Sequence, residues 1–237
     1  MEILITLCAR GGSKGIPGKN IRMINGKPLI ALTINIAKTF ALKHNADIAL
    51  STDSQEIKNT AGLFGVTSNY DRPLALSGDQ AGKLDTITDL LKFEELQRNK
   101  KYDYVLDLDI TSPLRNIQDL EEAFLKLQLD ENAWNIFSVN VANRNPYFNM
   151  VEQQPNGYYG LIKTGSFLTR QSAPHVYDLN ASFYFFRRSF FDLEPRSTIN
   201  SRSLIYVMPH ICFDLDHPID FDFMEYLMTT NKLGFEL

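Results

Sequence analysis

The sequence of 237 residues is poor in the features that mark secreted and membrane proteins. Its two cysteines, Cys8 and Cys212, are too few for a disulfide framework and predict a reducing, cytoplasmic compartment. No apolar run approaches the roughly 20 residues that span a bilayer, so we expect no membrane partner. Residues 1–12 carry an acid at position 2 and a short β-like run, which is not the pattern of a signal peptide.

A strong charge of either sign is also lacking. The 24 Lys and Arg against 28 Asp and Glu give a net charge of −4, which argues against nucleic acid as a partner. The aromatic residues are not interleaved with basic ones, as they are on single-strand binding surfaces. Because 44% of the residues are hydrophobic, the chain is not disordered, and its length suits one domain with an ample core.

The small net charge conceals two oppositely charged segments. Residues 1–43 contain seven basic side chains and one acid, whereas residues 203–231 contain five acids and no Lys or Arg. The sequence therefore predicts an anion-binding site near the first segment and a cation-binding site near the second.

Short apolar runs alternate with amphipathic segments along the chain. The run at 3–8 has the composition of a strand buried on both faces, and a helix is predicted to begin at Pro28. The other predicted strands lie at 48–51, 66–70, 102–110, 204–209 and 211–215, and the other helices at 54–65, 84–99, 117–131 and 218–232. This order predicts an α/β protein whose mainly parallel sheet is covered on both faces. Its binding residues are expected at the carboxyl ends of the strands. Between 135 and 187, strand-like pieces separated by turns predict a β-rich insert.

Residues 9–20 form a glycine-rich loop directly after the first predicted strand. Four glycines allow backbone N–H groups to turn inward, and three basic side chains border them, which is typical of a polyphosphate site. The P-loop pattern fails because Ser13 takes its first glycine position and Asn20 follows Lys19, and no G-x-G-x-x-G is present. A phosphate site of another design is predicted; the alternative is a flexible basic turn.

Two pairs of carboxylates have the i, i+2 spacing that places side chains on one face of a strand. These pairs are Asp107 with Asp109 and Asp214 with Asp216. Neighbouring carboxylates repel one another, and a bound Mg²⁺ relieves the repulsion while also binding substrate phosphates. The pairs therefore predict a magnesium site, with solvated turn acids as the alternative.

The glycine-rich loop, ARGGSKGIPGKN, is similar to the signature loop of the acylneuraminate cytidylyltransferases. The resemblance continues through STDS (51–54), RPLALSGD (72–79), TSPLR (111–115), TRQSAP (169–174), NASFY (180–184) and DLDHPIDF (214–221). Residues 144–152, together with the strand DLDITSPLR, look most like the branch that activates legionaminic acid. The resemblance implies a Rossmann-like three-layer nucleotidyltransferase fold over 1–237, with the insert at 135–187 forming a homodimer interface.

The resemblance also implies a reaction. CMP is transferred from CTP to the anomeric hydroxyl of a nonulosonic acid, legionaminic or sialic-acid-like, for bacterial surface glycan biosynthesis, and pyrophosphate is released with Mg²⁺ as cofactor. The implied catalytic residues are Arg10, Lys19, Asp214 and Asp216. The implied nucleotide-binding residues are Ala9, Arg10, Gly11, Gly12, Ser13, Lys14, Lys19, Asn20, Ser77, Lys83 and Asp109. Two alternatives remain open, a nucleotidyltransferase for another sugar or nucleotide and an inactive nucleotide-binding homologue.

The sequence departs from the family at several of the implied sites. The implied metal ligands are Asp214, Asp216 and Asp109. The implied sugar-binding residues are Asp109, Phe148, Arg170, Gln171, Asn180 and Tyr184. Asp109 stands where sialic-acid enzymes usually have Gln and is predicted to bind either the metal or the sugar. Lys83 takes a place where the family often has Ser, and Phe148 one where sialic-acid enzymes have Lys. These exchanges predict a sugar other than sialic acid itself.

Overall fold

A six-stranded sheet forms the centre of the molecule. The computed structural model describes residues 1–12, 15–78, 81–167 and 169–237. Its strands are β1 (Ile3–Cys8), β2 (Met23–Ile24), β3 (Lys27–Pro28), β4 (Asp47–Ser51), β5 (Tyr104–Leu108), β6 (Asn135–Val141), β7 (Val151–Gln153), β8 (Tyr159–Leu161), β9 (Tyr177–Arg187) and β10 (Ser203–Val207). The order in the central sheet is β10-β6-β9-β5-β1-β4, and only β9 runs antiparallel to its neighbours. The predicted mainly parallel sheet is therefore confirmed.

In the residues that the structure describes, five α-helices cover the two faces of the sheet. They are α1 (Leu29–His44), α2 (Gln55–Leu63), α3 (Lys83–Arg98), α4 (Ile117–Leu129) and α5 (Pro218–Thr229). Alternate residues of β1 belong to different cores. Ile3, Ile5 and Leu7 pack with α1, α2, α4 and α5, whereas Leu4 packs with α3. This alternation confirms a three-layer α/β arrangement and explains why β1 is hydrophobic throughout.

Local sequence signals explain where several helices begin and end. Ser54 accepts a hydrogen bond from the backbone N–H of Ile57 at the start of α2, and α1 begins directly after Pro28. Helix α2 ends just before Gly65, which has φ +82°. This left-handed conformation suits glycine and stops a helix. In the described part of the chain, no helix combines the length and the apolar character needed to cross a membrane.

Two predicted strands are not strands. Residues 66–70 form a loop beside the edge strand β4, to which the Ser68 hydroxyl donates one hydrogen bond at the Leu50 carbonyl. Residues 211–215 are in neither a helix nor a sheet, and backbone groups of this segment bond to a loop and to a side chain instead. The Leu215 N–H donates to the Thr111 carbonyl, and the Asn140 side chain donates to the Cys212 carbonyl. Asp214 and Asp216 therefore lie on a loop rather than on a strand face.

The β-rich insert predicted within 135–187 occupies only the middle of that range. β6 and β9, which begin and end that range, are strands of the central sheet and are paired antiparallel to each other. Only the residues between them leave the sheet, and they carry the small hairpin of β7 and β8. The insert is thus a long connection between two core strands.

The fold places several loops at one edge of the sheet. Because β1, β4 and β5 are parallel, their carboxyl ends meet there. The glycine-rich loop follows β1, and the segment that begins with Asp109 follows β5. This is the edge where open α/β sheets bind ligands.

The start of α4 offers a test of the helix assignment. The Asn116 side chain accepts from the Asp119 N–H at 3.0 Å, and the Asp119 carboxylate accepts from the Asn116 N–H at 2.8 Å. We expect Asn116→Ala to lower the free energy of unfolding by about 1 kcal/mol, since it leaves a helix N–H without its acceptor. Urea unfolding measures the change. The matched control is Asn132→Ala, at an exposed turn position, and equal losses in the two variants would contradict the cap.

Candidate active site

A cavity of about 640 Å³ lies at the carboxyl ends of β1 and β5. Among the predicted site residues that the structure describes, six line it, namely Arg10, Lys19, Asn20, Lys83, Asp109 and Asp216. They come from four separate parts of the chain: the glycine-rich loop, the start of α3, the end of β5 and the loop before α5. The structure therefore brings together the basic amino-terminal segment and the acidic carboxyl-terminal one.

The glycine-rich loop is held by side chains from its surroundings. The Gly11 N–H donates to Asp53 at 2.8 Å, and the buried Asn20 side chain donates to the Arg10 carbonyl at 2.9 Å. Gly18 has φ +65°, a left-handed conformation that favours glycine. These contacts fix the loop's course beside the cavity. Ser13 and Lys14, two of the predicted nucleotide-binding residues, lie outside the described residues.

Lys19 and Asp216 join the loop to the segment before α5. The Lys19 ammonium donates to the Asp216 carboxylate at 2.9 Å, and the Lys19 side chain is 15% exposed against 62% for Asp216. Gly15 packs against the same segment, since a Cβ at that position would lie 3.0 Å from the Asp216 carbonyl oxygen. The predicted phosphate-binding lysine and the predicted metal-binding aspartate thus share one ion pair.

Asp214 is the carboxylate with an unused acceptor. Its Oδ1 atom is buried, and it has no hydrogen-bond partner among the residues that the structure describes. Burial raises the pKa of Asp214 to about 6, and the charges of Asp109 and Asp216 add to the increase. A bare, buried oxygen beside other carboxylates is an unfavourable arrangement that a bound cation would relieve. Asp214, with Asp216 beside it, therefore fits a divalent metal ion.

Asp109 has different surroundings. Its Oδ1 accepts from the Thr111 N–H at 2.8 Å and from the Thr111 hydroxyl at 2.9 Å, and its Oδ2 accepts from the Lys83 ammonium at 3.0 Å. Burial alone would raise the pKa of Asp109, but the charge of Lys83 and these hydrogen bonds lower it to about 2. Both oxygens of the predicted third metal ligand are thus occupied by donors of the protein.

Lys83 also contacts the other carboxylate of β5. Its ammonium lies 3.1 Å from Asp107, and its Nζ atom lies 4.9 Å from the centre of the Tyr184 ring. Burial alone would lower the pKa of Lys83, but Asp107 and Asp109 outweigh it and raise the pKa well above its ordinary value. The i, i+2 spacing did place Asp107, on β5, and Asp109, directly after it, on one side, since both contact Lys83. Their shared cation is a lysine, although a metal ion was expected.

The predicted metal set is therefore not assembled as one cluster. Within the described ranges, no group of three or more His, Cys, Asp or Glu side chains is arranged to hold a metal ion. The predicted set of Asp109, Asp214 and Asp216 divides into Asp109, which is paired with Lys83, and the two aspartates before α5. The reason is that Lys83, which lies 26 residues before Asp109, folds back onto the end of β5.

The predicted sugar-binding residues fall into two groups. Asn180 and Tyr184 are buried on β9. The Asn180 side chain accepts from Ser138 and donates to Asn140, so its amide connects β9 to β6. Tyr184 pairs with Asp107 across the sheet and packs against Lys83. Of these two, Tyr184 is the one in contact with a cavity residue.

Phe148, Arg170 and Gln171 belong to the insert and are exposed. The Arg170 guanidinium donates to the Ala142 carbonyl at 2.7 Å, which ties the insert to the end of β6. None of the three is among the described residues that line the cavity.

Ser77, a predicted nucleotide-binding residue, is likewise absent from the described cavity wall, although its neighbours Leu76 and Gly78 line it. The Ser77 hydroxyl donates to the Pro73 carbonyl instead.

Two arginines near the site had no predicted role. Arg72 lines the cavity and donates to the hydroxyl and the carbonyl of Ser51, so it fixes the end of β4. Arg115 is fully buried and donates to the carbonyls of Asp109, Ser112 and Ser182. Burial lowers the pKa of Arg115 to about 10. Arg72 lies in RPLALSGD and Arg115 lies in TSPLR, two of the segments that resemble the family. This resemblance was the only sequence signal that either residue belongs near the site.

The raised pKa of Asp214 predicts a pH-dependent cost to folding. The native carboxyl has a pKa of about 6, against 3.8 ordinarily. Its contribution to the stability of the native state is therefore fully present below pH 3.8 and is lost as the pH rises through about 6. We expect Asp214→Asn to be more stable than the wild type at about pH 8, with the advantage shrinking between about 6 and 4. Urea unfolding across this range measures it. Asp222→Asn, at an exposed position of α5, is the matched control, and an Asp214→Asn advantage that did not change with pH would contradict the assignment.

The sequence matches the cytidylyltransferase family over residues 4–233. It is 40% identical over 234 residues to post-translational flagellin modification protein B of Campylobacter coli, covering 98% of this chain and 97% of the relative. It is also 40% identical over 235 residues to CMP-N,N'-diacetyllegionaminic acid synthase of Campylobacter jejuni, again covering 98% and 97%. The similarity thus extends over nearly the whole of each chain.

The fold is similar to that of a CMP:2-keto-3-deoxy-manno-octonic acid synthetase solved in complex with CTP. The TM-score is 0.67 over 98% of this chain and 100% of that one, and at 17% sequence identity the likeness concerns the fold alone. It confirms the predicted Rossmann-like nucleotidyltransferase fold. Together with the match over residues 4–233, the close relatives establish that this chain belongs to the cytidylyltransferase family of nucleotidyltransferases.

Proposed function

We propose that the protein transfers CMP from CTP to the anomeric hydroxyl of a nonulosonic acid and releases pyrophosphate, as a step in bacterial surface glycan biosynthesis. The observation that carries this proposal is a single cavity with an anion-binding loop on one wall and a carboxylate with an unused oxygen beside it. The substrate class is supported by the relative named CMP-N,N'-diacetyllegionaminic acid synthase, which is 40% identical over nearly its whole length. Both cysteines are unpaired, which agrees with the proposed cytoplasmic location.

The glycine-rich loop binds the triphosphate in this proposal. Arg10 and Lys19 line the cavity and supply positive charge where the leaving pyrophosphate accumulates negative charge. Lys19 is already oriented by Asp216, so little side-chain entropy is lost when phosphate arrives. The displacement at the α-phosphorus needs the sugar hydroxyl in line with the leaving group, and the protein's contribution is mainly to fix that alignment.

Cytidylyltransferases of this kind generally use a divalent metal ion. We propose Mg²⁺ with Asp214 and Asp216 as its protein ligands, because Asp214 has the unpartnered buried oxygen. When bound, such an ion neutralises phosphate charge and lowers the pKa of the attacking hydroxyl. Asp109 remains paired with the Lys83 ammonium. It also lines the cavity, where it can accept a hydrogen bond from the sugar.

The activity test is pyrophosphate release with each of CTP, UTP, GTP and ATP against a panel of nonulosonic acids that includes N,N'-diacetyllegionaminic acid. We expect release with CTP to exceed release with the other nucleotides by about 100-fold or more, because a site that hydrogen-bonds the base rejects one with the wrong donors and acceptors. The Asp214→Asn variant should lose about 100-fold or more of the CTP-dependent rate.

Two results would contradict this function. Release with UTP or GTP but not with CTP would identify a different nucleotidyltransferase. CTP binding without release for any acceptor would identify an inactive nucleotide-binding homologue. The exposed variant Asp222→Asn is the matched control for Asp214→Asn and should retain the wild-type rate.

We also propose that the insert forms a homodimer interface. Its β7–β8 hairpin exposes large apolar side chains, among them Val151 at 60% and Tyr159 at 69%. A second copy of the chain would cover these side chains, since exposed apolar groups clustered on one element favour association. Arg170 and Gln171 lie on the same insert and outside the described cavity wall of their own chain. We propose that they contact the sugar in the partner's site.

The double variant Val151→Glu/Tyr159→Glu tests the interface. We expect the wild type to have the mass of a dimer and the variant that of a monomer, because burying two new carboxylates costs more than the interface gains. Light scattering after size-exclusion chromatography measures both masses. The control Leu42→Glu introduces an acid at an 86% exposed position on α1 and should remain dimeric. A monomeric wild type, or a dimeric hairpin variant, would exclude this interface.

A further inference from the structure

Lys83 is fixed between the two carboxylates of β5. It is the first residue of α3, so its backbone position is set by the start of a 16-residue helix. Its ammonium lies 3.0 Å from Asp109 and 3.1 Å from Asp107, and the Tyr184 ring is 4.9 Å away. Asp107 is almost fully buried, so its carboxylate has little access to water as an alternative partner. The ammonium is therefore a built-in part of the sheet edge.

Each oxygen of the two carboxylates already accepts a hydrogen bond. Asp107 accepts from the Thr6 hydroxyl at 2.7 Å and from Lys83, and Asp109 accepts from Thr111 and from Lys83. Asp214 differs, since its Oδ1 has no partner in the part of the chain that the structure describes. The pair before α5 thus keeps one buried oxygen without a partner, although Asp216 is already paired with Lys19 at 2.9 Å, whereas the pair at the end of β5 keeps none.

We infer that Lys83 takes the place of a metal ion at the end of β5, so that Asp214 and Asp216 are the carboxylates left to bind one among those that the structure describes at this edge. This inference rests on the proposed function in that it concerns the metal requirement of the same site. An ammonium and a divalent ion cannot share the space between Asp107 and Asp109, because like charges a few ångströms apart in a buried site repel strongly. Lys83 is thus a positioning residue, which holds Asp109 in place and excludes a metal ion from it.

Lys83→Met tests the inference by emptying that space while keeping a side chain of similar length. Asp107 and Asp109 would then face each other without a cation, and two neighbouring carboxylates form a weak divalent site. We expect the variant to bind one further Mn²⁺ per chain, with a dissociation constant in the range of about 10⁻⁴–10⁻³ M. The loss of the free Mn²⁺ electron paramagnetic resonance signal during titration, without nucleotide, counts the bound ions.

Two controls accompany this titration. Lys92→Met removes the same charge from an exposed position on the same helix and should bind no additional Mn²⁺. The double variant Lys83→Met/Asp109→Asn should lose the additional ion, since one of its two carboxylates is gone. If Lys83→Met is folded, as judged by circular dichroism, and binds the same number of ions as the wild type, the inference is wrong.

A second measurement leaves Lys83 in place. With Mn²⁺ and CTP present, Asp109→Asn should bind as many ions as the wild type, whereas Asp214→Asn should bind fewer. Loss of an ion in Asp109→Asn would show that the nucleotide displaces Lys83 and would overturn the inference even if Lys83→Met failed to fold. Neither measurement involves the sugar or turnover, so its result is independent of whether pyrophosphate is released in the activity test.

Discussion

The repulsion between carboxylates gathered at one sheet edge is the constraint on which the arrangement of this site depends. Asp107 lies on β5 and Asp109 directly follows it, while Asp214 and Asp216 lie on the loop before α5. The charges of Asp109 and Asp216 both act on Asp214. The protein compensates them separately, with Lys83 at the first pair and Lys19 at Asp216. In the described part of the chain, Asp214 keeps a buried oxygen without a hydrogen-bond partner. The stability lost there is the counterpart of a site that can bind a cation.

The sequence predicted those features that depend on local pattern. The buried β1, the start of α1 after Pro28 and the shared face of Asp107 and Asp109 all follow from short-range periodicity or turn chemistry. Residues 66–70 and 211–215 have strand-like composition, but their hydrogen bonds go to single loop and side-chain groups, and composition does not reveal the partner. The contact of Lys83 with Asp109 was missed for the same reason, since it depends on how α3 packs.

Arg115 shows how a buried cation can organise a loop without a carboxylate partner. Its guanidinium donates to carbonyls of Asp109, Ser112 and Ser182 and to the Thr33 hydroxyl, so it joins the segment after β5 to β9 and α1 at the edge of the site. Backbone carbonyls compensate the buried charge only in part, and burial accordingly lowers the pKa of Arg115. The segment after β5, which carries Thr111 to the cavity, is held in this way.

The two ends of the insert meet, and this affects how the family can diverge. The Ala142 N–H donates to the Val176 carbonyl at 3.1 Å, so the connection leaves and re-enters the sheet at neighbouring points. Because the ends are held by the β6–β9 pairing, a change in length between them alters the closure entropy only logarithmically. A change in the length of this segment therefore costs little stability, and its constraints come from the proposed interface and from the proposed contacts of Arg170 and Gln171.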